Sequence, residues 1–317
     1  MGEYILGYST EESQRLDLQH AAYKTILGGQ LLSRDVEAAA RRGEISKVLD
    51  VGTGTGIWCH DALAELKALK TDEGQYHVVG SDVAESEQWG QHGGASTTFI
   101  KADLGDAEAM AQIGKDHGPF DLIHSRLMII PIKDGQWESY LATISSLLRS
   151  GGYVQLEETD FGYSQSCRPE RESVEPVIIA QAVARGVGGD PMVAQRLANY
   201  SMKSGFSNVS KTVHHAQMFT TASDGTRISN TVIGDWVHKS YVALKTHFLK
   251  VRQLPNYHEL LDQLPSEVVK KAGGRPQDLL KDEAEYEDHL QREHNVRLED
   301  PLWHVDVVVT TGQKLAS

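Results

Sequence analysis

From Lys47 to Glu157 the chain alternates short apolar runs with stretches whose apolar residues recur at helical spacing. The runs at 47–51, 76–81, 98–101, 120–124 and 153–157 predict strands; the stretches at 57–69, 106–114 and 135–148 predict helices. The third of these helices stops at Ser150-Gly151-Gly152. Strands separated by helices predict a doubly wound parallel α/β sheet, because parallel neighbours need crossover connections. Upstream, residues 11–40 are rich in helix formers, with Leu16, Ala22, Tyr23, Ile26, Leu27 and Leu31 apolar or aromatic and a break at Gly28-Gly29. Downstream, Asp190-Pro191 opens a predicted helix over 192–204 that closes on Gly205, and a strand follows at 209–219. Residues 225–300 are helical and polar with breaks at Pro255, Pro265 and Gly273-Gly274, and the run WHVDVVVT at 303–310 predicts a last strand. The expected organisation is therefore an N-terminal helical segment (1–40), a core (41–224), a helical insertion (225–300) and a closing core strand (301–317).

Composition narrows the partners. The 317 residues are 40 % hydrophobic and 24 % charged, which fits one elaborated globular domain. A net charge of -13 repels phosphate backbones and anionic lipid, and no basic run offsets it, so neither nucleic acid nor membrane is expected as a partner. Eight carboxylates against three Lys or Arg in residues 281–300 read as a solvated helix face. No apolar stretch approaches the roughly 18 residues of a membrane span, and the N-terminus lacks the pattern of a signal peptide, so a soluble, cytoplasmic protein is expected. Cys59 and Cys167 have no Cys-x-x-Cys spacing and are expected to be structural thiols.

The chemistry centres on VLDVGTGTGIW, where Gly52, Gly54 and Gly56 let the backbone turn from strand to helix and admit a ligand. The spacing differs from the Gly-x-Gly-x-x-Gly dinucleotide fingerprint. Asp82 ends the second strand, where a carboxylate can accept both hydroxyls of a ribose; Asp103 ends the third and can accept from an adenine amine. Asp50, before the glycines, can pair with an ammonium group but would repel a pyrophosphate. Any one of these aspartates can equally be a helix cap or loop closure. Together they favour a cationic nucleoside.

Residues 48–58, Asp82, Ala102-Asp103 and FDLIHSR (120–126) resemble the successive motifs of class I S-adenosylmethionine-dependent methyltransferases. More narrowly, RLDLQH (15–20), LGGQL (27–31) and the closing TTGQK resemble the fungal secondary-metabolism methyltransferases, a group that includes a nuclear regulator. The resemblance implies a Rossmann-like, seven-stranded sheet with the last strand pair antiparallel, and S-adenosyl-L-methionine as cofactor. It implies that Asp50, Gly52, Thr53, Gly54 and Gly56 hold the methionine part, Asp82 and Val83 the ribose, and Ala102, Asp103 and Leu104 the adenine. It also implies that Tyr8, Arg15, Gln19 and Tyr23 belong to a lid over the cofactor. The loop after Asp82 departs from the fungal group in lacking a proline-rich stretch.

A sulfonium is already an activated methyl donor, so alignment and exclusion of water matter most and a base is optional. His124 is the candidate base at the end of the fourth strand, or else a structural histidine that positions the cofactor. Arg126 either orients a substrate or pairs with a carboxylate. Glu157, Glu158 and Asp160 do not make a metal site, because alternation sends Glu157 and Glu158 to opposite faces. Candidate substrate-pocket aromatics are Trp137, Phe161, Tyr163, Trp236 and Tyr241; Trp58 either packs the first core helix or touches substrate. These features predict methyl transfer to a small, largely apolar natural product, at oxygen or else at nitrogen or sulfur. The rivals are a partner-binding regulator, a nicotinamide-dependent oxidoreductase, and a protein that uses the bound cofactor for a non-methylating rearrangement.

Overall fold

The computed structural model describes residues 9–69, 75–160, 174–217, 219–221, 224, 227–299 and 304–315. Ser9 caps the first helix, α1 (Thr10–Ile26), its hydroxyl accepting from the Glu12 amide at 3.2 Å. A turn through Gly28 and Gly29 leads to α2 (Arg34–Arg41), so the N-terminal helical stretch is two helices. The alternating core follows: β1 (Lys47–Val51), α3 (Ile57–Leu69), β2 (His77–Asp82), a short α4 (Trp89–His92), β3 (Thr97–Lys101), α5 (Ala107–His117), β4 (Phe120–Arg126), α6 (Trp137–Leu147) and β5 (Leu148–Thr159). Next come α7 (Glu175–Gly186), α8 (Val193–Lys203), β6 (Phe206–Gln217) and a hairpin of β7 (Phe219–Thr221) and β8 (Arg227–Ser229). Four further helices, α9 (Thr231–Arg252), α10 (Tyr257–Leu261), α11 (Ser266–Lys271) and α12 (Glu283–Glu299), precede β9 (His304–Lys314).

Seven strands form one sheet in the order β3-β2-β1-β4-β5-β9-β6. Strands β1 to β5 run parallel, and β9 is antiparallel to both its neighbours. This is the doubly wound sheet the alternation predicts, completed by the antiparallel pair that the resemblance implies. Because strand side chains alternate faces, Val48, Val78, Leu122 and Tyr153 pack under α2 and α3, while Leu49, Val79, Ile123 and Val154 pack under α5, α6 and α8. A third apolar cluster joins Tyr23 of α1, Ile178 and Ile179 of α7, Trp236 and Phe248 of α9 and Tyr286 of α12 to the inner face of β9. The late helices thus share a core with the first one.

Two elements differ from the sequence pattern. Helix α7 lies in a stretch for which no element is predicted; its residues from Pro176 to Ala184 are all buried, so it has no polar face to mark a helical period. Strand β6 begins at Phe206 rather than 209, with a bulge between Ser207 and Ser210 where Asn208 takes a φ of 49°. No helix among the described residues is long and apolar enough to cross a membrane.

Candidate active site

Parallel strands all end at the same edge, so the residues that follow β1 to β5 meet there. A cavity of about 470 Å³ opens at this edge, between the strand ends, α1 and α9. The glycine turn after β1 forms its floor. Gly52 has a φ of 74°, and a Cβ there would stand 2.8 Å from the Met128 sulfur; both the left-handed backbone and the close approach require glycine. The amides of Gly52 and Thr53 donate to the Ser81 carbonyl at 2.9 and 3.0 Å, and the Gly54 amide donates to the Asp82 carboxylate at 2.8 Å. Asp82 also accepts from the Ala84 amide at 3.3 Å, while burial pushes its carboxyl above its ordinary value. The turn is clasped from outside as well: Asp17 of α1 accepts from the Thr55 hydroxyl at 2.8 Å and from Gln88 at 3.1 Å, and the Trp89 indole donates to the Gly54 carbonyl at 2.9 Å. Neither Asp17 nor Trp89 is singled out by the sequence; Asp17 sits among polar residues on both faces of α1, and Trp89 acts through a backbone carbonyl that no motif marks.

Behind the turn lies a buried row of charges set by strand register. Asp50, His124 and Gln155 are neighbours across β1, β4 and β5, and Arg126 pairs with Glu157. His124 is 1 % exposed and stacks on Trp58 with ring centroids 3.8 Å apart and planes 1° from parallel. Its Nδ1 lies 2.7 Å from Asp50 and its Nε2 3.5 Å from Glu157. Burial opposes a charged ring, yet the two carboxylates outweigh it and hold the imidazole above its ordinary value. Asp50 and Glu157 are held low, His124 overcoming the penalty of burial in each case. With Nδ1 on Asp50, Nε2 toward Glu157 and the ring stacked on Trp58, the geometry fits the second of the two readings of His124, a structural histidine that positions the site.

Asp50 lines the cavity, but its oxygens already accept from His124 and, at 2.7 Å, from the Thr53 hydroxyl. It therefore fixes the turn from behind. Alternate residues of β5 extend the same face toward the N-terminal helices. Gln155 donates to Glu157 at 2.8 Å and to the Leu31 carbonyl at 2.7 Å while accepting from the Ser33 amide at 2.8 Å, and the Thr159 hydroxyl meets the Tyr23 hydroxyl at 2.7 Å. On the opposite face, Glu158 accepts from the Met128 amide at 2.6 Å.

The cavity brings together Arg15, Gln19, Asp50, Gly52, Thr53, Gly54, Asp82, Val83, Ala102, Asp103, Leu104, His124, Trp236 and Tyr241 from the sequence-derived candidates. Arg15 is held in a bidentate pair with Glu12, both bonds 2.7 Å; with its amide oxygen turned toward them, Gln19 accepts from Arg15 at 3.2 Å and from the Trp236 indole at 3.3 Å. Asp103 accepts from the Gly105 amide at 2.7 Å. Three candidates do not line the cavity. Gly56 turns away from it toward the Phe99 ring, and Tyr23 is wholly buried beneath α9, edge-on to Trp236 at 5.5 Å. Trp137 is 1 % exposed on the far side of the sheet, edge-on to Tyr140 and parallel to Tyr200, and is corrected from pocket wall to core. Tyr8, Phe161 and Tyr163 lie outside the described residues.

The methyltransferase domain family matches residues 23–221. The methyltransferase grgD of a Penicillium species is 30% identical over 158 residues, which are 50% of this chain and 52% of that protein. The N-methyltransferase tcpN of Claviceps purpurea is 27% identical over 197 residues, 61% of this chain and 65% of that protein. The secondary metabolism regulator LAE1 of Hypocrea atroviridis is 26% identical over 166 residues, 50% of this chain and 41% of the regulator. The chain spans about half the length of the curated relatives it matches. With the family match extending from the end of α1 to β7, across β1 to β6, the glycine turn and all three strand-end aspartates, the chain belongs to the methyltransferase domain family.

Proposed function

We propose that the protein is an S-adenosyl-L-methionine-dependent methyltransferase whose acceptor is a small, largely apolar natural product, methylated at oxygen. The observation that carries this reading is the row of aspartates, Asp50, Asp82 and Asp103, at the ends of β1, β2 and β3 around a glycine turn that lines one cavity. Such a set repels a pyrophosphate and suits a cationic nucleoside. The donor set fits that cofactor: Asp82 would accept from ribose hydroxyls, Ala102, Asp103 and Leu104 would border the adenine, and the backbone of Gly52 to Gly54 would receive the amino-acid part. When bound, the cofactor supplies a methyl group already activated on a sulfonium.

The chain's own residues then have two tasks. His124 and Arg126 offset the charges of Asp50 and Glu157 out of water, and this cluster holds the floor of the site rigid. Leu127, Met128, Ile129, Tyr241 and Leu244 give the cavity an apolar wall that excludes water and accommodates an apolar acceptor. With both ring nitrogens of His124 turned to carboxylates, alignment of the acceptor rather than proton abstraction by that ring carries the rate. The likeness to tcpN supports nitrogen as the alternative acceptor atom, and the likeness to LAE1 supports a second reading, a regulator of secondary metabolism that keeps the cofactor site and acts through a partner.

Calorimetric titration with S-adenosylhomocysteine and separately with NADH tests the cofactor. Saturable binding of S-adenosylhomocysteine is expected, weakened at least about 100-fold by Asp82→Ala, because the lost contacts are charge-assisted and to a half-buried carboxylate. Binding of NADH in its place would overturn the proposal.

A further inference from the structure

We propose that Leu127 selects the acceptor: its side chain, held on a strained turn and packed with α9, limits the acceptor to a compact apolar molecule. The inference rests on the methyltransferase reading above and adds to it the residue that sets acceptor size. Three non-glycine residues among those described take a left-handed backbone, Leu127 at a φ of 56°, Asn208 at 49° and Leu280 at 55°. Of these, Leu127 alone lines the cavity. The left-handed region crowds a Cβ against the backbone, so glycine enters it freely and leucine only at a cost. A leucine in that conformation at a cavity wall points to a use for its side chain.

Strand β5 pins the turn. The Leu127 amide donates to the Glu157 carbonyl at 2.9 Å and the Met128 amide to the Glu158 carboxyl at 2.6 Å, while the Ile132 amide closes the loop on the Met128 carbonyl at 3.0 Å. The two adjacent side chains are sent apart. Met128 is buried in the cluster between the sheet, α5 and α6, its sulfur set against Gly52, where a Cβ would stand 2.8 Å away. Leu127 is half-buried and packs against the other cluster, that of α1, α7 and α9. One neighbour thus locks the loop to the glycine turn, and the other faces the cavity.

Strand order sets this side chain beyond the cofactor. Asp103, Asp82 and Asp50 stand at the ends of β3, β2 and β1 in sequence across the sheet, and Leu127 follows β4, one strand further on. A nucleoside spread over the three aspartates leaves Leu127 to the acceptor. Helix α9 walls the same part of the cavity: Trp236, Val237, Ser240, Tyr241 and Leu244 line it from one helical face, and all but Ser240 belong with Leu127 to a single apolar cluster. An acceptor lying between Leu127 and this stripe is bounded on both sides by packed side chains. Such a wall discriminates at the level of single methylene groups, and a pinned backbone keeps it from yielding.

The test is calorimetry with two neutral phenols, 2-naphthol and the one-ring-larger 9-phenanthrol, on protein saturated with S-adenosylhomocysteine. Wild type is expected to bind 2-naphthol at least about tenfold tighter than 9-phenanthrol. Leu127→Ala should cut that preference at least about tenfold, and Leu127→Met, which keeps the volume, should hold it within about threefold. Leu127→Gly should match the alanine variant in preference and resist urea at least as well, because glycine takes a φ of 56° without strain. No binding of 2-naphthol to wild type, equal affinity for the two phenols, or an unchanged preference in Leu127→Ala overturns the proposal. So does a larger effect of Leu127→Ala on S-adenosylhomocysteine than on the phenols, which would set Leu127 against the cofactor. An alanine variant more resistant to urea than the glycine variant would deny the strained turn and overturn it as well. The saturation step is read first: wild type that fails to bind S-adenosylhomocysteine defeats the methyltransferase reading itself.

Discussion

Glu157 and Glu158 are adjacent on β5, and their carboxyls are shifted in opposite directions. Alternation turns Glu157 toward His124, whose positive charge overcomes the burial penalty and holds the carboxyl below its ordinary value. It turns Glu158 into the apolar layer, where burial pushes its pKa from 4.5 to about 8. Folded Glu158 therefore stays protonated over a range in which the unfolded chain has released that proton. Its contribution to stability is complete below 4.5 and is lost as pH rises to about 8. Glu158→Gln keeps an oxygen for the Met128 amide and cannot ionise. Across this window the variant should gain on wild type by about 1.4 kcal/mol per pH unit at most, measured by urea unfolding at a series of pH values; parallel curves for the two proteins would show that Glu158 is ionised in the fold. The opposite facing of the two carboxylates is legible in the sequence, because period two is a local property. Their charge states are not, since they depend on His124 from another strand and on the helices of the far layer. The same limit explains Trp137, whose aromatic character is visible but whose layer is not.

The elements around the site divide into those that form it and those that fasten it. The β1-turn-α3 unit is written in five consecutive positions from Gly52 to Gly56, and this local encoding makes it readable without a structure. Helix α1 is fastened by scattered polar contacts: Asp17 to Thr55 and Gln88, Lys24 to Asp61, and Tyr23 to Thr159. Such contacts join residues distant in the chain and leave no period in the sequence. Asp17→Ala removes two hydrogen bonds at a partly buried site, a loss of about 1–2 kcal/mol. Amide exchange over residues 10–26 should quicken, and the affinity for S-adenosylhomocysteine should fall about tenfold with a smaller effect on global unfolding. Unchanged exchange in α1 would mean that Asp17 does not hold the helix against the turn. Helix α7 is the converse case, an element set by tertiary burial alone, buried all round from Pro176 to Ala184 with no period to read.

At the scale of the molecule, three apolar clusters meet around one cavity. Two are the faces of the sheet, and the third joins α1 to the helices that precede β9. The alternation of strands and helices foretells the first two, because each element carries its own half of the pattern. Helical stretches at both ends of the chain are also legible, but not that Tyr23 and Trp236 pack edge-on to close one side of the site. That contact joins residues more than 200 positions apart, and nothing local encodes it. The net charge of -13 is compatible with this arrangement: carboxylates are gathered at the strand ends, where a cation is to be received.

The most direct test is a crystal structure of the protein with S-adenosylhomocysteine. The adenine is expected beside Asp103 and Leu104, the ribose hydroxyls on Asp82, and the homocysteine chain along Gly52 to Gly54, with the sulfur facing the space between Arg126 and Tyr241. A nucleoside bound in the reverse sense, with its adenine under Trp236 and Tyr241, or bound away from the glycine turn, would contradict this account.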